Sequence, residues 1–121
     1  EISEERRYAA TPVLFEAARA GDAVAVSVVL RQAEEIVALA VSVLRRLDLL
    51  EERVDVVLGG GILTGGHALL LDAVRDGLGA AAPQAVPVVV TAPPVLGAAL
   101  LGLDRVGAPP AAHQRLREGF A

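Results

Sequence analysis

The chain has 121 residues and a net charge of −4, and it is 54% hydrophobic but only 2% aromatic. It has no cysteine and no lysine, which excludes disulfides, thiolate zinc sites, cysteine nucleophiles and a phosphate-loop lysine. An acidic balance with scattered arginines argues against a nucleic-acid groove. The length suits one domain, and the missing methionine predicts a chain that is processed or cut from a longer protein.

The N-terminal region predicts two helices before a tight corner. Ser3 can begin a short helix that runs to Ala10. Thr11 and Pro12 then predict a new helix start, because proline is tolerated in the first turn of a helix. We expect that second helix to continue to about Ala20.

Gly21 and Asp22 form the predicted corner, with Gly21 ending one helix in a left-handed conformation and Asp22 capping the next. The next helix, from about Ala23 to Leu47, contains no glycine or proline. Its polar residues form one narrow stripe, so most of its circumference is apolar. We predict a central core helix, part of whose cover lies outside this chain.

A strand–helix–strand–helix pattern follows. The β-branched segment Val54–Leu58 predicts a strand, and residues 67–81 predict a helix with leucines and valine on one side. The segment 87–92 predicts a second strand, apolar on both faces and therefore buried. Residues 94–106 predict a further helix, which Gly107 ends.

The predicted fold class is α/β, in the order α-α-β-α-β-α with two parallel strands joined by a right-handed crossover. The chain divides into a helical pair (3–50), a βαβα unit (54–107) and a short amphipathic tail (108–121). A sheet of only two strands is marginally stable. We therefore expect the chain to be part of a larger α/β sheet.

The longest uncharged stretch, 77–103, is long enough to suggest a membrane span. Four prolines inside it indicate separate short elements instead. The charged N-terminus is unlike a signal peptide. We therefore predict a cytoplasmic protein with no membrane partner.

The glycine run after the first strand is the strongest candidate site. The backbone N–H groups of Gly59, Gly60 and Gly61 can approach a phosphate or ribose closely, and the helix start that follows adds a positive dipole. Neither standard motif is met: Thr64 replaces the third glycine of the dinucleotide fingerprint, and Gly66 stands where a phosphate loop has lysine. A flexible strand-to-helix turn is the alternative interpretation.

From the remaining polar residues we predict neither catalytic residues nor a metal site in this chain. His67 and His113 lack a metal-type spacing, and His67 is typical of a surface or capping residue. Asp55 lies inside a strand, where it faces solvent or a helix start more often than it acts as a catalytic carboxylate. No nucleophile–base pair or carboxylate pair is present at a useful spacing.

Three segments together resemble one protein family. They are EAARAGDAVA at 16–25, LGGG at 58–61 and APPVLGAALL at 92–101. In this order and spacing they resemble the C-terminal end of the BadF/BadG/BcrA/BcrD-type ATPases, a group that includes N-acetylglucosamine kinase. The resemblance spans about residues 11–107.

The resemblance implies the C-terminal portion of an actin-like, ribonuclease H-like ATPase domain. It implies that Gly59, Gly60 and Gly61 lie against the adenosine and α-phosphate of ATP, and that Gly97 and Ala98 match a close helix contact. The family's phosphate-binding turns and catalytic aspartate have no counterpart here. Magnesium would be bound mainly by segments outside this chain.

The function expected from the resemblance is the C-terminal part of an ATP-dependent kinase that phosphorylates an amino sugar. The whole protein is expected to be a homodimer, and this chain alone is expected to be inactive. One alternative is an ATPase that activates a partner dehydratase. Another is a non-catalytic interaction module that kept the fold and lost the site.

Overall fold

The structure, a computed structural model, describes residues 4–120. These residues form two compact units, one ending at Val89 and the other beginning at Val90. The first unit contains α1 (Glu4–Arg19), α2 (Ala23–Arg46), β1 (Val54–Leu58), α3 (Gly61–Thr64), α4 (Ala68–Ala81) and β2 (Ala85–Val89). The second contains α5 (Pro94–Arg105) and α6 (Pro110–Glu118).

Helix α1 is continuous through Pro12, so the predicted helix break at Thr11 and Pro12 is wrong. Proline removes one helical N–H and crowds the preceding turn. Pro12 is exposed, so its ring displaces no core side chain. Ser3, the predicted start of the first helix, lies outside the described residues.

The corner between α1 and α2 is as predicted. Gly21 has a φ of +88°, a conformation that glycine adopts without steric cost. Asp22 caps α2 because its Oδ1 accepts a hydrogen bond of 2.8 Å from the N–H of Ala25. This cap satisfies one of the donors that every helix start leaves unpaired.

The two strands pair in parallel, as predicted, with Val54 opposite Ala85 and Leu58 opposite Val89. The second strand is Ala85–Val89 rather than 87–92, because β2 pairs only along the five residues of β1. The prediction that it is buried on both faces is also wrong. Val88 is 39% exposed, so the strand is not buried on both faces along its whole length.

The core of the first unit lies between α2 and α4. Leu70, Val74 and Leu78 of α4 are fully buried, as their helical spacing predicts, and pack with Val29 of α2. Each such side chain contributes roughly 1.5–3 kcal/mol of transfer free energy. Leu58 joins this cluster from the end of β1, so the same core anchors the strand that precedes the glycine run.

The two helices approach closely at Gly77. A Cβ added at this position would lie 2.8 Å from Cγ2 of Val37, nearer than any methyl group tolerates. Glycine is therefore required for the spacing between α2 and α4.

Helix α2 keeps a large uncovered apolar surface, as its composition predicts. Its exposed side chains include Leu39 at 69% and Val43 at 53%. The residue that follows the helix, Leu47, is 61% exposed.

The second unit is a pair of short helices. Gly107 ends α5 with a φ of +63°, as predicted, and α6 forms within the predicted tail. The Nε2 atom of His113 in α6 lies 2.7 Å from Oδ1 of Asp104 in α5. The pair therefore links the two helices through one polar contact.

Within residues 4–120, no helix combines the length and the apolar character that a membrane span requires.

Candidate functional site

The glycine run leaves the carboxyl end of β1 in a conformation that requires glycine. Gly60 has φ 95° and ψ 154°, a region costly for any residue with a Cβ. The Gly60 carbonyl accepts hydrogen bonds from the backbone N–H of Thr64 at 3.0 Å and from its Oγ1 at 3.1 Å. Thr64 therefore stabilises the turn through two hydrogen bonds, although it breaks the dinucleotide fingerprint.

The helix that follows is α3, a single turn of four residues. The sequence predicts the next helix only at His67, with its dipole directed at the glycine run. In the structure the longer helix α4 begins at Ala68, beyond a second bend at Gly65 and Gly66. A single helical turn carries little of the aligned dipole that makes helix starts attractive to anions, so the predicted dipole contribution is small.

The outer side of the glycine run is open. A Cβ added at Gly60 or Gly61 would meet no atom within 4 Å, and Gly59, Gly60 and Gly61 are all exposed. A flat ligand can therefore reach the backbone here without displacing any part of the chain. The absence of side chains has no packing explanation at Gly61, in contrast to Gly77.

A small pocket of about 270 Å³ lies beside the second bend, lined by residues that include Phe15, Arg19 and His67. The Phe15 and His67 rings are stacked, with centroids 3.6 Å apart and planes 1° apart. His67 precedes α4 by one residue, where the sequence predicts the helix to begin. The prediction of a surface or capping residue is wrong, because His67 is half-buried and its side chain makes no capping hydrogen bond.

Sequence reasoning missed the partner of His67. The chain has only two phenylalanines and one tyrosine, so Phe15 could have been singled out by its rarity. Its contact with His67 could not be foreseen, because it joins α1 to the start of α4. The Arg19 guanidinium at this pocket already pairs with Glu16 at 2.8 Å and is 79% exposed.

The other polar residues remain dispersed. Asp55 is exposed on β1, and His113 contacts Asp104 within the second unit. No group of three or more histidine or acidic side chains in residues 4–120 is arranged to hold a metal ion.

Comparison with models of known protein families, with curated proteins and with solved structures finds no match to this chain. The resemblance carried by residues 16–25, 58–61 and 92–101 stays a prediction. At Gly97, the predicted close helix contact is not formed within the described part of the chain, because a Cβ there would meet no atom within 4 Å.

Proposed function

We propose that this chain contributes the adenosine-binding wall of an ATP site, as the C-terminal part of a cytoplasmic sugar kinase that resembles N-acetylglucosamine kinase. The observation that carries the proposal is the open glycine run at the carboxyl end of β1. Ligands of parallel α/β sheets bind at this end of the strands. The open space beside Gly60 and Gly61 supports an approach of ribose and α-phosphate to the backbone.

The division of labour under this proposal follows from the chemistry of the reaction. Phosphoryl transfer depends on positioning and on charge stabilisation of the transferred group. The described residues offer a surface that positions the nucleoside end of ATP. Magnesium, the γ-phosphate and the amino sugar would be bound by segments outside these 121 residues.

Titration of the ¹⁵N-labelled chain with AMP tests the proposal directly. The expected result is a saturable change in the amide resonances of Gly59, Gly60 and Gly61, because these groups would face the ribose and α-phosphate. The amide of Gly119, at the end of α6, serves as an internal control. Changes confined to other parts of the chain would contradict the proposal.

Substitution of Gly61 by valine is the sharper test. Gly61 has open space around it and no left-handed φ, so we expect Gly61→Val to keep the fold while its side chain occupies the open space beside the glycine run. We expect AMP affinity to fall by at least about tenfold, which corresponds to about 1.4 kcal/mol. Gly79→Val, at an equally open position in α4, is the matched control and should leave AMP affinity unchanged.

If the Gly61→Val variant bound AMP as tightly as the unsubstituted chain, the glycine run would serve only as a strand-to-helix turn. Gly60→Val should also weaken binding, but it is a poorer test. The φ of +95° at Gly60 means that valine would distort the turn itself.

A non-catalytic interaction module is the second candidate function. The exposed apolar residues Leu39, Val43 and Leu47 favour it, because large contiguous apolar patches mark interaction sites. AMP titration separates the two candidates, since a module without the site gives no saturable change at Gly59–Gly61. The expected homodimer stays a prediction, which sedimentation at increasing concentration would test.

A further inference from the structure

A groove of about 530 Å³ runs between α2 and β1 in the first unit. We call it the edge groove. Its α2 side carries the exposed residues Leu39, Val43 and Leu47, and its other side is formed by all five residues of Val54–Leu58. The lining is apolar except for Asp55.

One backbone edge of β1 borders the edge groove. Successive side chains of a strand point to opposite faces, so five consecutive residues can line one groove only where it borders the strand's edge. Within residues 4–120, β1 pairs with β2 alone, which leaves its other edge without a strand. The free edge presents backbone donors and acceptors at the spacing of a sheet.

The two faces beside this edge differ in character. Val54, Val56 and Leu58 face the core, on the side where Leu39 and Val43 remain uncovered. Asp55 and Val57 lie on the opposite, exposed face. Aspartate is depleted in strands, and no ion pair involving Asp55 is formed by the described residues.

We propose that the edge groove binds an extended strand of polypeptide from outside these 121 residues, which adds to the sheet at β1. Backbone hydrogen bonds to the free edge require an extended occupant. Contact with Leu39, Val43 and Leu47 requires apolar side chains on one of its faces. The carboxylate of Asp55 favours a basic side chain on the other face, because opposite charges directly across two strands stabilise the pairing.

The same carboxylate disfavours a second copy of the chain as the occupant. If two β1 strands paired antiparallel along all five residues, Asp55 would lie opposite Val57 and diagonal to the second Asp55. Parallel pairing in register would bring the two carboxylates side by side. In both registers the carboxylates disfavour a second copy, and a heterologous strand with a basic residue fits the edge better.

The test uses a seven-residue acetylated peptide with leucine or valine at odd positions, arginine at the centre and threonine at the two remaining positions. Its binding to the intact chain is measured by fluorescence anisotropy of a labelled peptide. Two control peptides isolate the interactions. One carries N-methyl groups along one backbone edge, and the other has threonine in place of the central arginine.

Two variants probe the protein side. Leu39→Asp places a charge in the edge groove at an exposed position, and Val24→Asp places the same charge on α2 at a position 72% exposed and outside the groove. We expect at least about tenfold weaker binding for Leu39→Asp and for the N-methylated peptide, and no change for Val24→Asp. Asp55→Asn should reduce affinity for the arginine peptide by several-fold and leave the threonine peptide unaffected.

Three results would overturn the proposal: no saturable binding at millimolar peptide, equal binding of the N-methylated peptide, or self-association of the chain that Leu39→Asp abolishes. The last result would assign the edge groove to a second copy. No nucleotide is present in this experiment, so its failure leaves the proposed adenosine-binding role of Gly59–Gly61 standing, and the AMP titration does not depend on the peptide.

Discussion

Two glycines of α4, Gly77 and Gly79, differ in the space around them. At Gly77 the missing side chain lets α2 approach α4, and the nearest methyl group, on Val37, would lie 2.8 Å from an added Cβ. At Gly79, two residues further along the same helix, an added Cβ would meet nothing within 4 Å. The two residues offer a matched pair in which helix propensity is constant and packing differs.

We expect Gly77→Ala to destabilise the chain by roughly 0–2 kcal/mol, because the gain of about 1 kcal/mol in helix propensity offsets only part of a strain of roughly 1–3 kcal/mol. Val37 yields little, since β-branched side chains keep one preferred rotamer in a helix. Unfolding in urea measures the difference in free energy.

Gly79→Ala is the control and should stabilise α4 by about 0.5–1 kcal/mol. If both variants were stabilised alike, the close approach between Gly77 and Val37 would carry no energetic weight.

At the scale of elements, prediction succeeded where a pattern was local. The bounds of β1 follow from its β-branched content, and Asp22 is the cap that its position indicates. Helical spacing predicts the buried side of α4, formed by Leu70, Leu71, Val74 and Leu78. The prediction for α1 was wrong because Thr-Pro is, locally, the pattern of a helix start. Pro12 lies inside the helix at an exposed position, which the local pattern does not reveal. The end of β2 depends on the length of its partner strand, which no local pattern contains.

The candidate site was predictable only in part, for the same reason. The glycine run could be located because it follows a clear strand. The single turn α3 is closed by local hydrogen bonds between Thr64 and Gly60, whereas the stack of Phe15 on His67 arises from contacts between distant segments. These contacts have no signature in the residues that make them.

The stacked pair should couple α1 to the bend before α4. In a double-mutant cycle of Phe15→Leu and His67→Gln, we expect a coupling free energy of about 0.5–1.5 kcal/mol, measured by urea unfolding. Phe15→Leu combined with Ser42→Ala, on the exposed side of α2, should be additive. Additivity in both cycles would show that the two rings contribute only their separate burial.

At the scale of the whole molecule, the proposed function assigns only nucleotide positioning to the described residues. They contain no side-chain group arranged to bind a metal ion, and the sequence contains no lysine. Under the proposed function, the groups that stabilise the transferred phosphoryl group come from segments outside these 121 residues.

We accordingly expect the 121-residue chain to transfer no phosphate from magnesium–ATP to N-acetylglucosamine, as measured by coupled detection of ADP. A sugar kinase added to the same mixture verifies the assay. Turnover that co-purifies with the chain and disappears in the Gly61→Val variant would show that the chain carries a complete site.

The parallel pairing of β1 with β2 also has a consequence for the order in which the first unit folds. The corner between α1 and α2 closes through bonds between near neighbours, such as the 3.0 Å bond from the N–H of Gly21 to the carbonyl of Ala18. The β1–β2 pairing joins segments that α3 and α4 separate along the chain, and such non-local contacts form slowly. We expect the helices to form first and the sheet last, so refolding at high concentration should lose material to aggregation in which β1 of one molecule pairs with β2 of another.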